Sequence, residues 1–172
     1  MIDTLRIGLG IDLHRLVPGK RCVLGGVEVP GPTGMEAHSD GDALLHAACD
    51  AVLGAAGLDD LGTLFSDRDP RNRGRDSREF CAEALRLLRA AGLTVWSLDA
   101  VIEAERVRIA PHRGAIRASL ARLFALAPER VNVKGKSGEG LGEIGRGEAL
   151  RATVVALVGG DRDAARRAAT SD

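Results

Sequence analysis

The sequence predicts one α/β (α+β) domain, built as a mixed β-sheet with helices mostly on one face, plus a small N-terminal hairpin. Three observations predict this class. Segments with the two-residue apolar period of strands alternate with segments of helical period. Glycine and proline clusters separate these segments, and the chain of 172 residues shows no internal repeat or linker. We therefore expect a single domain over residues 1–160, followed by a polar tail, 161–172, that is frayed or a short helix.

The composition argues against several classes of protein. The formal net charge is zero and no basic block is present, which argues against a nucleic-acid surface. No apolar run is long enough to cross a bilayer, and the N-terminus lacks a signal-peptide pattern, so a cytoplasmic protein without a membrane segment is expected. The three cysteines, Cys22, Cys49 and Cys81, form no CxxC pair. We expect them to be buried thiols in a reducing compartment.

The first element is a predicted strand over residues 5–12. Its apolar residues alternate, which gives it one buried face: Leu5, Ile7, Leu9 and Ile11. The opposite side carries Gly8 and Gly10, and glycine in a strand often marks the close approach of another backbone or a ligand. Asp12 and His14 follow on that side, and a separation of two residues suits a pair of metal ligands. A strand end with two polar residues is the alternative.

A hairpin is predicted over residues 21–30, where two short β-rich runs flank Gly25-Gly26. Residues 31–36 form a loop that leads into an apolar, Ala-rich helix within 38–57, capped by Ser39 or Asp40. Three polar residues of this segment recur at every fourth position and share one helix face: Asp42, His46 and Asp50. This face is either a solvated surface or part of a metal site, because neutral imidazole is the commonest metal ligand.

The second half of the chain continues the alternation of strands and helices. A long loop rich in Asp and Gly, 58–70, precedes a helix that runs from 76 to 91 and ends at Gly92. The remaining predicted elements are a strand (93–103), a connector (104–111), a helix (112–126), a short strand (130–134), a glycine-rich loop (135–148) and a final strand (149–158). The final strand is almost continuously apolar, so we expect both of its faces to be buried.

Asp12, His14 and His46 together form an Asp/His/His set. Three nitrogen and oxygen ligands with an open fourth position are typical of catalytic zinc. The loop 135–147 offers backbone amides and three side chains that can bind phosphate oxygens: Lys136, Ser137 and Arg146. It does not match the P-loop pattern, and Glu139 within it is a spare carboxylate that can hold a second divalent ion against a diphosphate. A flexible glycine turn is the alternative for this loop.

Four motifs occur in one order along the chain: Gly8-Leu9-Gly10-Ile11-Asp12-Leu13-His14; His38-Ser39-Asp40-Gly41-Asp42 with His46; Val131-Asn132-Val133-Lys134; and Gly145-Arg146-Gly147-Glu148. From Arg6 to about Val158, this ordered set strongly resembles the 2-C-methyl-D-erythritol 2,4-cyclodiphosphate synthase family. The resemblance implies a homotrimer with each active site between two subunits. It also implies cyclisation of 4-diphosphocytidyl-2-C-methyl-D-erythritol 2-phosphate with release of CMP, in the non-mevalonate route to isoprenoid precursors.

The resemblance further implies roles for individual residues. His38 and Ser137 match residues that stabilise the transition state, with Ser137 standing where the family usually has Thr. The set of Asp12, His14 and His46 matches the ligands of zinc or another divalent transition metal. Glu139 matches the acid that holds a Mg or Mn ion on the diphosphate. Expected substrate-binding residues are Ser39, Asp60, Leu61, Gly62, Phe65, Asp67, Asp69 and Arg146. Expected cytidine-binding residues are Ala104, Arg108, Ile109, Ala110, Lys136, Ser137, Gly138 and Glu139.

Some positions depart from the family pattern. Val107-Arg108 replaces Pro-Lys, Gly135-Lys136-Ser137-Gly138 replaces Ala-Thr-Thr-Thr, and Glu143 stands where Phe is usual. The chain lacks a Ser-His or Cys-His motif, which agrees with a reaction in which the substrate's own 2-phosphate is the nucleophile. Two alternatives stay open. One is a metal-dependent nucleoside-diphosphate hydrolase, in which water is the nucleophile, and the other is a non-catalytic trimeric module that binds metal and nucleotide.

Overall fold

A computed structural model describes residues 5–37, 40–65 and 74–160. Five strands form one mixed sheet in the order β4-β1-β7-β5-β6, and two short strands form a separate hairpin. The strands are β1 (Arg6–Pro18), β2 (Val23–Leu24), β3 (Val27–Glu28), β4 (Thr33–Met35), β5 (Leu93–Glu103), β6 (Val131–Lys136) and β7 (Ala149–Gly160). The helices are α1 (Ala43–Ala56), α2 (Leu61–Leu64), α3 (Ser77–Ala90), α4 (Arg113–Leu123) and α5 (Gly142–Gly145).

The fold confirms the predicted class, since a mixed sheet carries its long helices on one face. Helix α1 packs against β1 and β7, α3 packs against α1, and α4 packs against β6. The core between these layers consists of small and branched aliphatic side chains, as expected for a chain with few aromatic residues. Among the helices that the structure describes, none combines the length and hydropathy needed to span a bilayer.

The two glycines of β1 allow helix α1 to approach the strand closely. A Cβ added to Gly8 would lie 1.8 Å from the carbonyl oxygen of Ala51, and one added to Gly10 would lie 1.9 Å from that of Ala47. Only residues without a side chain fit at these two positions. The prediction of a close backbone approach at these glycines is therefore confirmed, and the approaching backbone is that of α1.

The predicted buried face of β1 is wrong for the single chain. Ile7, Leu9 and Ile11 are 73%, 59% and 55% exposed, because the helices pack on the glycine face of the strand and none of the described residues covers the other face. The final strand shows the same asymmetry. Val155 of β7, which pairs with Leu9, is 41% exposed, so burial of both faces of β7 is also not observed.

Helix α1 begins differently from the prediction. Its N-cap is Asp42, whose carboxylate accepts hydrogen bonds from the backbone amides of Leu45 (3.0 Å), Gly25 (2.9 Å) and Gly26 (2.6 Å). The Asp42 side chain is buried and points to the β2–β3 turn, so it does not share an exposed face with His46. Burial raises the pKa of Asp42 to about 6, although the three amides oppose that rise.

Other differences concern short elements. Strand β4 and helices α2 and α5 lie in segments predicted to be loops, because elements of three or four residues are too short to show a period. Helix α4 ends at Leu123, three residues before the predicted end, and Ala125 then adopts a left-handed conformation with φ 54°. Helix α3 and strand β5 agree with their predicted ranges within one residue. The predicted tail, 161–172, lies outside the described residues.

Candidate metal centre and nucleotide pocket

Strand β1 and helix α1 bring the predicted Asp/His/His set together. Asp12 and His14 lie on β1, and His46 lies on α1 within one turn of the contact with Gly10. The Nε2 atom of His14 is 2.9 Å from Asp12 Oδ2, and the Nδ1 atom of His46 is 3.2 Å from the same oxygen. One ligand atom from each of the three residues lies within 4.8 Å of the others, which suits a single metal ion.

Electrostatic interactions within this triad keep Asp12 in its ligand form. Burial would raise the pKa of Asp12, but hydrogen bonds from His14 and His46 and their charges outweigh it and hold the pKa well below its usual range. For His14, burial lowers the pKa, while the bond to Asp12 and its charge raise it, so the net shift is upward. An ionised carboxylate between two imidazoles attracts a cation.

The far nitrogen of each histidine is held by hydrogen bonding. Nδ1 of His14 donates to the backbone carbonyl of Glu36 at 3.1 Å, since a carbonyl can only accept, so Nε2, which faces Asp12, is the nitrogen that would bind a metal once it gives up its hydrogen. Nε2 of His46 is 2.9 Å from the hydroxyl of Ser77, which in turn donates to Asp40. The donor set and its orientation therefore fit a divalent transition metal.

An aromatic cluster lies beside the triad. Phe80 of α3 meets the ring of His46 edge-on with 6.0 Å between centroids, and Phe65 packs on Phe80 at 5.0 Å. The guanidinium of Arg75 lies over both phenyl rings. Only the ring of Phe80 therefore separates Phe65, which is predicted to bind substrate, from His46.

The rest of the predicted substrate group lies in the short segment around α2, at the end of α5 or outside the described part of the chain. Asp60 caps α2 by accepting from the amide of Thr63 at 2.7 Å, and the amide of Leu61 donates to Asp50 at 2.8 Å. Gly62 belongs to the same short helix. Arg146 forms an ion pair with Glu148 at 2.9 Å. Four predicted residues are outside the described residues: His38, Ser39, Asp67 and Asp69.

Most of the predicted cytidine residues line one cavity of about 300 Å³ between the 104–111 connector and the end of β6. These are Ala104, Arg108, Ile109, Ala110, Lys136 and Ser137. The cavity has four further lining residues that are not among the expected cytidine-binding residues: Glu105, Val107, Arg113 and Gly135. Three cations among the lining side chains make this cavity suitable for an anionic ligand.

Gly138 and Glu139 continue from this cavity without lining it. The amide of Gly138 donates to Glu105 at 3.0 Å, and the hydroxyl of Ser137 donates to the carboxylate of Glu139. Glu139 adopts a left-handed conformation with φ 51°, is exposed, and is not part of the metal triad. Its carboxylate is therefore open to a ligand that enters from solvent.

Sequence analysis did not identify Ser77 and Asp40 as partners of His46, because these two residues lie 37 positions apart along the chain. Likewise, Glu105 and Arg113 carry charges that are common on any surface. Only the fold shows that both line the cavity. The start of a predicted helix at residues 76–77, close after a histidine-bearing helix, was the one available signal for Ser77.

One mixed-sheet domain thus carries a triad that could hold a metal ion and a separate basic cavity, a combination typical of metal-dependent enzymes that act on phosphate compounds. Residues 5–159 match the sequence model of the YgbB family, so the chain belongs to this family.

Named relatives and solved structures agree with this membership. The chain is 48% identical over 155 residues to the 2-C-methyl-D-erythritol 2,4-cyclodiphosphate synthase of Dechloromonas aromatica, covering 90% of this chain and 97% of that protein. A solved structure of such a synthase in its CDP-bound form superposes with a TM-score of 0.83 at 43% identity, covering 89% of this chain and 99% of that one. The CDP complex of Plasmodium falciparum IspF superposes with a TM-score of 0.82 at 30% identity, covering 94% and 100%.

Proposed function

We propose that this chain cyclises 4-diphosphocytidyl-2-C-methyl-D-erythritol 2-phosphate to 2-C-methyl-D-erythritol 2,4-cyclodiphosphate and releases CMP, as a step in isoprenoid precursor synthesis. The observation that carries the proposal is the Asp12–His14–His46 triad in a chain that matches named synthases over nine-tenths of its length. The CDP-bound relatives support a cytidine nucleotide as part of the substrate.

The reaction needs no nucleophile from the protein. An oxygen of the substrate's 2-phosphate attacks the β-phosphorus, the bond from that phosphorus to the bridging oxygen breaks, and CMP leaves with that oxygen. The protein must hold both ends of one molecule in line and neutralise the charge that moves to the leaving group. A divalent cation at the triad would supply part of that neutralisation when it is bound.

The residues of the cavity supply the remaining contacts. Arg108 and Lys136 carry positive charge to the side where the nucleotide phosphate would lie, and the hydroxyl of Ser137 can donate to a phosphate oxygen once it leaves Glu139. Glu139 would then hold a Mg or Mn ion against the diphosphate. In this proposal zinc, or another divalent transition metal, occupies the triad, and cytidine lies against Ala104, Ile109, Ala110 and Gly138.

The remaining proposed contacts surround the methylerythritol end of the substrate. His38 stabilises the transition state, and the binding residues are Ser39, Asp60, Leu61, Gly62, Phe65, Asp67, Asp69 and Arg146. The aromatic packing from Phe65 through Phe80 to His46 supports this arrangement, because it ties that end of the site to the metal triad.

We further propose that the chain forms a homotrimer in the cytoplasm, with active sites between subunits, and the uncovered sheet face supports the contact between copies. Ile7, Leu9, Ile11 and Leu13 form an apolar row that is more than half exposed in the single chain. Monomeric proteins rarely expose such a contiguous apolar surface, so a second copy of the chain is its expected partner. Next to this row the sheet carries charged pairs, Glu103 with Arg151 and Asp99 with Lys134, which can specify how copies meet.

Product identification tests the proposed activity. Protein loaded with zinc and supplied with Mg²⁺ should convert the substrate to CMP and cyclic diphosphate in equal amounts, as followed by phosphorus NMR. A chelator should abolish turnover, and added metal should restore it. His46→Ala should lose both bound zinc and turnover, whereas Ser119→Ala, a buried serine on α4, should keep both. No CMP from the metal-loaded parent would contradict the proposal.

A further inference from the structure

The Nε2 atom of His46 faces away from the triad and begins a partly buried series of hydrogen bonds that runs through Ser77 to Asp40. Nε2 lies 2.9 Å from the Oγ of Ser77, and that hydroxyl donates to Oδ1 of Asp40. The backbone amide of Ser77 donates to the other oxygen of Asp40 at 3.0 Å. Ser77 is fully buried at the first turn of α3, so its hydroxyl is not exchanged for water.

The available donors and acceptors determine which atom donates in each of these hydrogen bonds. A carboxylate can only accept, so the single hydroxyl hydrogen of Ser77 is used on Asp40. The Ser77 oxygen then has only lone pairs left for His46, and Nε2 must be the nitrogen that carries hydrogen. Nδ1, which faces Asp12 at 3.2 Å, is thereby left as the nitrogen that would give up its hydrogen and bind a metal.

We propose that Ser77 and Asp40 are positioning residues of the metal centre, which hold His46 in its metal-binding tautomer and ring orientation. The inference rests on the proposed metal site. His14 shows the same arrangement in simpler form, since a backbone carbonyl, that of Glu36, fixes its Nδ1 as the donor. In both histidines the ring nitrogen that faces away from the triad is therefore hydrogen-bonded, to the main chain in His14 and to the Ser77–Asp40 pair in His46.

If the Ser77–Asp40 pair were only a structural tether, its loss would lower stability and leave zinc affinity unchanged. Asp40 also joins the segment before α1 to the start of α3 through two backbone amides, those of Ser77 and Asp42. Ser77→Ala leaves both of these amide bonds intact and removes only the hydroxyl. Ser77→Ala therefore distinguishes a residue that only joins two elements from one that orients the His46 imidazole.

Asp40→Asn tests which atoms donate in the hydrogen bonds that link His46, Ser77 and Asp40. An amide in place of the carboxylate keeps the bond from the Ser77 backbone amide when its NH2 group takes the Oδ1 position, where it faces the Ser77 hydroxyl and gives up the bond from the Asp42 amide. The hydroxyl would then donate to His46, which favours the tautomer with hydrogen on Nδ1 and opposes metal binding. The substitution keeps nearly the same shape, so the loss of affinity has a chemical cause.

The experiment compares zinc dissociation constants, measured by competition with a chelating dye, for the parent and its variants. Ser77→Ala and Asp40→Asn should bind zinc about tenfold to a hundredfold more weakly, the usual effect of removing the outer partner of a metal-bound histidine. Ser77→Thr, which restores a hydroxyl, should recover most of the affinity. Ser119→Ala should bind zinc as the parent does. Cobalt-loaded protein should show altered visible absorption in Ser77→Ala, because the ligand geometry changes.

Each result decides the matter. If Ser77→Ala binds zinc as tightly as the parent and only the melting temperature of the metal-free protein falls, the pair is a structural tether and the inference is wrong. If Ser77→Thr binds no better than Ser77→Ala, the hydroxyl is not the active group. If the parent itself binds no divalent metal, the proposed metal centre fails and the inference fails with it.

Discussion

At the residue scale, Asp42 shows how one carboxylate can connect two elements. It caps α1 and also accepts the amides of Gly25 and Gly26 in the hairpin turn, all within a buried setting. The sequence analysis placed Asp42 on one helix face with His46, as a solvated surface or part of a metal site, because helical spacing from His46 was the only visible relation. Long-range bonds of this kind leave no periodic trace, so a cap and a surface acid look alike in the sequence.

Replacement of Asp42 tests this connection. Asp42→Ala leaves three backbone amides without an acceptor, so we expect the free energy of unfolding in urea to fall by about 2–4 kcal/mol. Asp76→Ala is the matched control, because Asp76 caps α3 at the surface and accepts from one backbone amide. It should cost about 1 kcal/mol. Equal losses for the two variants would contradict the account of Asp42.

Ser137 is the second residue whose role can be isolated. Its hydroxyl lies at the rim of the basic cavity and is away from the triad, so Ser137→Ala should leave zinc content unchanged. Turnover should fall about a hundredfold or more, as when one preorganised donor is lost from a transition-state site. Zinc analysis together with steady-state rates measures both. An unchanged rate would make Ser137 an ordinary loop residue.

At the element scale, the packing of α1 on β1 positions the metal ligands. Because the glycines of β1 have no side chain, α1 packs close to the strand, and this brings His46 to Asp12 and His14. The types of residue in the triad were predictable, because acid and imidazole recur at suitable spacing. The side of β1 that meets the helix was not correctly predicted, since alternation shows that a strand has two unlike faces but not which partner covers each one.

Gly10→Ala tests this packing. The added Cβ would overlap the carbonyl oxygen of Ala47, so α1 must move, and we expect a loss of about 1–3 kcal/mol in unfolding free energy with weaker zinc binding. Gly54→Ala in α1 is the control. Its Cβ would meet nothing within 4 Å, and alanine favours a helix by about 1 kcal/mol. A Gly10→Ala protein as stable as the parent would contradict the proposed close approach.

Longer elements were predicted well where local signals agreed. Helix α3 has an Asp cap at its start and a glycine after its end, and β5 is a long β-branched and aliphatic run, so their ranges were predicted within one residue. Strand β4 and helices α2 and α5 depend on contacts with distant parts of the chain. For example, α2 is held by a bond from Leu61 to Asp50. Their short sequences carry no comparable signal.

At the scale of the whole molecule, the exposed apolar row on β1 predicts assembly. Leu9→Asp places a charge in the centre of the proposed contact, and light scattering should report monomers where the parent forms trimers. Circular dichroism should remain close to that of the parent, because Leu9 is largely exposed in the single chain. Arg89→Asp, on the exposed side of α3, should remain trimeric. A parent that is monomeric at working concentration would contradict the assembly and the shared active site.

In the proposed reaction the substrate's own phosphate, not water, is the nucleophile. A metal triad with nearby carboxylates can equally activate water, so the geometry alone allows a hydrolase as the competing activity. The most direct measurement is the reaction in heavy-oxygen water followed by mass spectrometry of the products. We expect unlabelled CMP and an unlabelled cyclic diphosphate, because every product oxygen comes from the substrate. Label that appears in CMP or in a linear diphosphate in step with turnover would contradict it.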